Sequence, residues 1–141
     1  MVDTYIQYRL ENYETLKGFI YDIIPKTARI LVIGCGNAEF SEKMFDDGFE
    51  HIDNIDLSEV VITQMKARNV SRKSMTYATM DARDLRFADS TYDLVFDKCL
   101  LDSILCGEKA FYNASLITKV RICLVSIRKY KECLRVMVIT C

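Results

Sequence analysis

Gly34 and Gly36 stand two apart at the end of an apolar, β-branched run, Ile30-Leu31-Val32-Ile33, and Asp56 follows Gly36 by twenty residues. Glycine reaches backbone conformations closed to other residues, so a loop built on it can lie close against a ligand. An acid at that distance, ending a second apolar run at 51–56, is placed to accept hydrogen bonds from ribose hydroxyls. Two more acids close extended stretches: Asp81 follows 75–80, and Asp97 ends 92–97. In an open parallel sheet, ligands bind outside the carboxyl ends of the strands. Each aspartate alone reads as a solvated turn residue. Together, Asp56, Asp81 and Asp97 are expected to line one rim with the glycine loop, which is the chemistry of nucleotide recognition.

The elements that must position these residues follow from periodicity. The run at 30–33 suits a strand buried on both faces. Residues 38–47 read as a helix, with Phe40 and Met44 on one face and Gly48 as its stop signal. Asn37 sits at the mouth of the glycine loop, where its side chain is expected to hold the turn by hydrogen bonds. Ser58 caps a further helix whose apolar positions are Val61, Ile62 and Met65. That closes a β-α-β unit, expected to be right-handed. Upstream, Tyr13, Leu16, Phe19, Ile20, Ile23 and Ile24 recur at spacings of three and four, so residues 5–24 read as an amphipathic helix covering one sheet face, ended by Pro25. Strands are expected at 75–80 and 92–97, and a fifth at 134–140.

Length and composition narrow the classes of function. The 141 residues fit one domain, half of them apolar and 28% charged, with 19 basic and 20 acidic side chains. Neither a nucleic-acid arm nor a polybasic membrane anchor is indicated. No apolar run is long enough to cross a bilayer, and residues 1–10 lack a signal-peptide core. A soluble, cytoplasmic protein is expected. The six cysteines, at 35, 99, 106, 123, 133 and 141, contain no C-x-x-C pair, and there is a single histidine. They read as reduced thiols, with no metal site expected.

Four stretches carry a family resemblance: I-L-V-I-G-C-G-N at 30–37, N-I-D-L-S-E-V-V-I-T-Q-M at 54–65, M-D-A-R-D-L at 80–85 and Y-D-L-V-F-D-K-C-L-L-D-S-I-L at 92–105. In this order and spacing they resemble a class I S-adenosylmethionine-dependent methyltransferase. More narrowly, they resemble the methyltransferase-like group containing the elongation factor 1-alpha lysine methyltransferases, the endothelin-converting enzyme 2 associated type included. The resemblance implies a Rossmann-like α/β sandwich with a mostly parallel sheet, and S-adenosyl-L-methionine as cofactor. It implies that Gly34, Cys35 and Gly36 pass beneath the methionine part of the cofactor, with Asn37 and Leu57 also among the cofactor-binding residues. Asp56 would bind the ribose hydroxyls, and Asp81 with Ala82 would face the adenine edge. Asp97 and Lys98 would border the methyl-transfer mouth as the catalytic candidates. Asp97 either orients the amine or the cofactor, or only pins its loop. Lys98 reads as a structural cation and Cys99 as a packing residue. Val32 and Ala38 stand where the broad pattern has an acid and a third glycine, as in the narrower group.

The implied substrate is a protein lysine, on a translation elongation factor by resemblance, with neither nucleic acid nor membrane as partner. A lysine nucleophile must lose its proton from a reference pKa of about 10.4, and partial burial beside a positive sulfonium favours the neutral amine. No dedicated general base is required. The family-like core is expected at 30–107, within one domain spanning 1–141. Residues 108–141 depart from the family pattern, so the sheet is expected to stop after about its fifth strand with an open edge beyond it. Two other functions compete: a catalytically inactive cofactor- or partner-binding remnant, and an NAD-type oxidoreductase. Glu39, where the dinucleotide fingerprint has its last glycine, opposes the second.

Overall fold

Ile30, Leu31, Val32 and Ile33 are almost wholly buried. They form β1 (Arg29–Ile33), flanked on both sides by parallel strands. The computed structural model describes residues 13–88, 91–98, 100, 112, 123–125 and 134–138. In chain order α1 (Tyr13–Ile23) precedes β1, followed by α2 (Phe40–Asp46), β2 (His51–Asp56), α3 (Glu59–Arg68), β3 (Thr76–Thr79), β4 (Leu94–Lys98), β5 (Cys123–Val125) and β6 (Leu134–Val138). The strands make one sheet in the order β3-β2-β1-β4-β6-β5. The first four are parallel to one another, as expected for the family-like core.

Side-chain alternation along the strands separates two cores. Ile30 and Val32 join Ile52, Leu94 and Phe96 on the face covered by α1, α2 and α3, with Ile20, Phe40, Met44, Ile62 and Met65 supplying the helical side. Leu31, Ile33, Ile55 and Val95 form the second cluster, with Ala82 and Tyr92. The amphipathic first helix thus packs on the sheet as its spacing implies. Its expected beginning, residues 5–12, lies outside the described residues. For Leu16, Phe19 and Ile23 only the backbone is described.

Each helix ends for a local reason. Ile24 N donates to Ile20 O just before Pro25, which has no N–H to offer a further turn. Gly48 at φ +99 leaves the helical region after α2, as its stop signal requires. The α2 helix starts at Phe40 rather than 38, because Gly36 and Asn37 form a turn first. Ser58 caps α3 by accepting from Val61 N. Buried Asn54 receives the Ser41 hydroxyl and donates Nδ2 to Thr76 O at 3.0 Å, tying α2, β2 and β3 together.

The sheet beyond β4 differs from expectation. The strand at 134–138 is present, but it runs antiparallel to β4, and the fifth strand in chain order is Cys123–Val125. Because β5 is antiparallel to β6, it runs in the same direction as β4 with β6 inserted between them. The expected open edge next to the 134–140 strand is therefore paired. An antiparallel partner needs only a short connection, whereas a parallel neighbour needs a long crossover.

Candidate functional site

Register brings the carboxyl ends of three strands to one level. Ile33 lies opposite Ile55 on one side and Asp97 on the other, and Asp56 lies opposite Thr79. Asp56 ends β2, Asp97 is the penultimate residue of β4, and Asp81 lies two residues beyond β3. The expected rim is thus assembled by parallel pairing.

The glycine loop crosses this rim. Gly34 and Gly36 adopt φ of +64 and +56, left-handed conformations that penalise any residue with a Cβ. A Cβ on Gly36 would meet no described atom within 4 Å. Asp56 governs the loop directly: Oδ2 accepts from Gly36 N and Oδ1 from Ser58 N, both at 2.9 Å. One carboxylate therefore fixes the loop and the entry to α3. Each oxygen keeps a second lone pair, and Asp56 is only half-buried, so it can still accept from a ligand hydroxyl. Leu57 beside it is 67% exposed.

Cys35 donates its backbone N–H to Ile55 O at 3.1 Å. Burial, reinforced by the Asp56 charge, pushes its thiol up to about 12, which disfavours the thiolate. Asn37 is exposed, and its role differs from the expected side-chain bond. Its backbone carbonyl is the tied group, accepting from Arg68 Nη2 at 3.1 Å. Arg68 also donates Nε to Glu42 Oε1 at 2.6 Å, and Asn69 Nδ2 donates to that same oxygen. The end of α3 thus grips both α2 and the glycine loop. Arg68 carries no motif signature, and only the packing of the two helices reveals it.

Asp97 is 2% exposed, and its Oδ1 accepts Leu100 N at 2.9 Å. That bond pins the loop after β4, as one of the two expected roles requires. Lys98 closes β4, but its side chain, like all of Cys99, lies outside the described residues. Leu100 was not singled out by pattern. Its side chain lies against Gly34, where an added Cβ would come within 2.9 Å of Leu100 Cβ. Gly34 is therefore required by close approach as well as by φ. Asp81 is engaged by Arg83, which donates its backbone N, Nε and Nη2, and this holds the carboxyl below its ordinary range. Ala82 is buried in the second core.

The arrangement is a glycine loop with room at Gly36 among the described residues, a hydroxyl acceptor in Asp56 and an exposed apolar side chain in Leu57. Residues 31–119 match the family model described as Methyltransferase domain, and the chain belongs to that family. It is 44% identical over 99 residues to a Bos taurus protein named eEF1A lysine and N-terminal methyltransferase, covering 70% of this chain and 14% of that protein. It is 40% identical over 87 residues to a Mus musculus protein named EEF1A lysine methyltransferase 4, covering 62% of this chain and 34% of that one. Among solved structures, the PH0226 protein of Pyrococcus horikoshii OT3 is 35% identical with a TM-score of 0.51, over 58% of this chain and 36% of that chain. The similarity to elongation-factor methyltransferases expected from the four stretches is found, over a minor part of those proteins' length.

Proposed function

We propose that this chain binds S-adenosyl-L-methionine on the glycine-loop rim and acts in methylating a lysine of a translation elongation factor in the cytoplasm. The observation that carries the proposal is the Asp56 carboxylate holding Gly36 N in a loop with room at Gly36 among the described residues. Gly34, Cys35, Gly36 and Asn37 would underlie the methionine part, Asp56 and Leu57 the ribose side, and Asp81 and Ala82 the adenine edge. When bound, the cofactor supplies an electrophilic methyl group on a positive sulfonium. The chain's part is to orient the two reactants, since alignment accounts for much of the rate in a direct displacement. Asp97 serves here by fixing the loop through Leu100 N, and so acts as a positioning residue. Family membership and the names of the relatives support this assignment.

A binding unit without turnover is the second reading; the chain spans 14% of the first of those relatives. Calorimetric titration with S-adenosylhomocysteine tests the cofactor step. Saturable micromolar binding, lost in Asp56→Ala, is the expected outcome, and a folded wild-type chain that takes up no ligand sinks it. Transfer of label from S-adenosylmethionine to purified elongation factor then separates the two readings: turnover supports the enzyme, and binding without turnover supports the binding unit.

A further inference from the structure

Beyond Arg68, α3 runs into the edge strand β3 through a turn rich in cations. The chain between Lys66 and Lys73 carries Lys66, Arg68, Arg72 and Lys73 and no acid. Around it lies a cleft of about 280 Å³, lined in part by Lys66, Val70, Arg72, Lys73 and Tyr77, with no acidic side chain among the described residues of its wall. Arg72 is engaged by Asp46, through Nε at 2.9 Å and Nη2 at 2.7 Å. Lys66 and Lys73 are exposed and make no ion pair among the described residues. Val70 is 75% exposed beside them, an apolar contact set among charges.

The backbone next to this cleft is unpaired on one side. β3 bonds only to β2 among the described strands. Met80 N donates to Asp56 O, so by strand alternation Thr76 and Ala78 turn their backbone groups toward β2. Tyr77 and Thr79 turn theirs outward. An open edge is a template for another extended chain, and nearby lysines discourage pairing with a second copy that carries the same charges. The same lysines attract an acidic strand.

We propose that the β3 edge and the adjoining cleft form a docking site for an extended acidic segment of a partner protein, added as a strand beside Tyr77 and Thr79. Lys66 and Lys73 select its carboxylates, and Val70 receives an apolar side chain between them. The site runs along β3 to Thr79, level with Asp56, whereas β4 with Asp97 lies three strand spacings away, about 14 Å. It therefore anchors a protein without occupying the reaction mouth. A peptide fits better than nucleic acid: the unpaired groups are backbone donors and acceptors, and the ring of Tyr77, 5% exposed, offers no stacking platform.

The probe is a fluorescein-labelled peptide, acetyl-Glu-Val-Glu-Val-Glu-amide, titrated with the full chain by fluorescence anisotropy. Saturable binding is expected, weakened at least tenfold in the Lys66→Glu/Lys73→Glu variant, whose thermal midpoint is checked against wild type. Two further peptides carry N-methyl groups on the valines or on the glutamates. Strand addition requires that one of them lose binding and the other keep it, because only alternate amides face β3. No saturable binding, equal binding to the charge-reversed variant, or equal binding of both methylated peptides to wild type overturns the proposal. So does an oligothymidylate that binds more tightly than the peptide through the same lysines.

Discussion

Replacing Gly34 by alanine separates two reasons for a glycine that look alike in sequence. At φ +64 an alanine pays about 1–2 kcal/mol for the left-handed conformation. Its Cβ would also lie 2.9 Å from Leu100 Cβ and 3.3 Å from both Leu100 Cδ atoms, so the loop after β4 must shift. Overpacking of this kind costs about 1–3 kcal/mol. Gly34→Ala is therefore expected to destabilise the chain by about 2–5 kcal/mol. Gly36→Ala, at φ +56 with no described atom within 4 Å of the added one, should cost only the conformational part, about 1–2 kcal/mol. Urea denaturation followed by circular dichroism compares the midpoints, with equal slopes required for the comparison. The closest atom is a Cβ, so Leu100→Ala, which removes only the two Cδ contacts, should relieve Gly34→Ala in small part, and Leu100→Gly should recover more. Equal midpoints for the two glycine variants, or full relief by Leu100→Ala, would refute the claim that Leu100 lies on Gly34. In calorimetry the order reverses, since a methyl group on Gly36 projects into the surface proposed for the cofactor.

The remaining predictions concern the supports of that loop. Arg68→Met leaves Glu42, 8% exposed, without its cation and Asn37 O without its donor, and should lower stability by about 1–3 kcal/mol in the same urea assay. Asn54→Ala strands the buried Ser41 hydroxyl and removes one donor from Thr76 O, at a cost of about 1–3 kcal/mol, read as a lower thermal midpoint. Asp47 accepts from Lys17, Tyr13 and Tyr21, and its carboxyl is held below its ordinary range by the Lys17 hydrogen bond first and that of Tyr13 second. A lowered folded value means that this contribution is complete above about pH 4 and is lost as pH falls through the folded value, so Lys17→Met should flatten the acid limb of stability against pH. With its pKa near 12, Cys35 should resist iodoacetamide at pH 8 in the native chain, and peptide mass spectrometry should find it labelled only after unfolding.

The parallel core was legible because its signals are local. A β-branched run ending in two glycines, an acid twenty residues on and a serine before Glu59 each report a backbone preference that needs no distant partner. The strands beyond β4 were less legible. Short apolar runs such as Leu134–Val138 state that a strand forms, but direction and neighbour depend on what it pairs with, so the antiparallel insertion between β4 and β5 was not readable. For Asn37 the turn was anticipated, yet the tie comes from Arg68, 31 residues away, to a carbonyl that every residue type possesses.

By itself, then, the sequence determined the strand–glycine-loop–helix unit, the acids at the ends of the strands and the family, since these depend on residue types at fixed separations along the chain. Only the tertiary structure decided that Asp56 spends its two oxygens on Gly36 N and Ser58 N, that Leu100 makes Gly34 obligatory, and that Lys66 and Lys73 flank an unpaired edge. Each of these is a contact between segments whose separation in space is set by sheet register and helix packing, and neither leaves a mark on the residues it brings together.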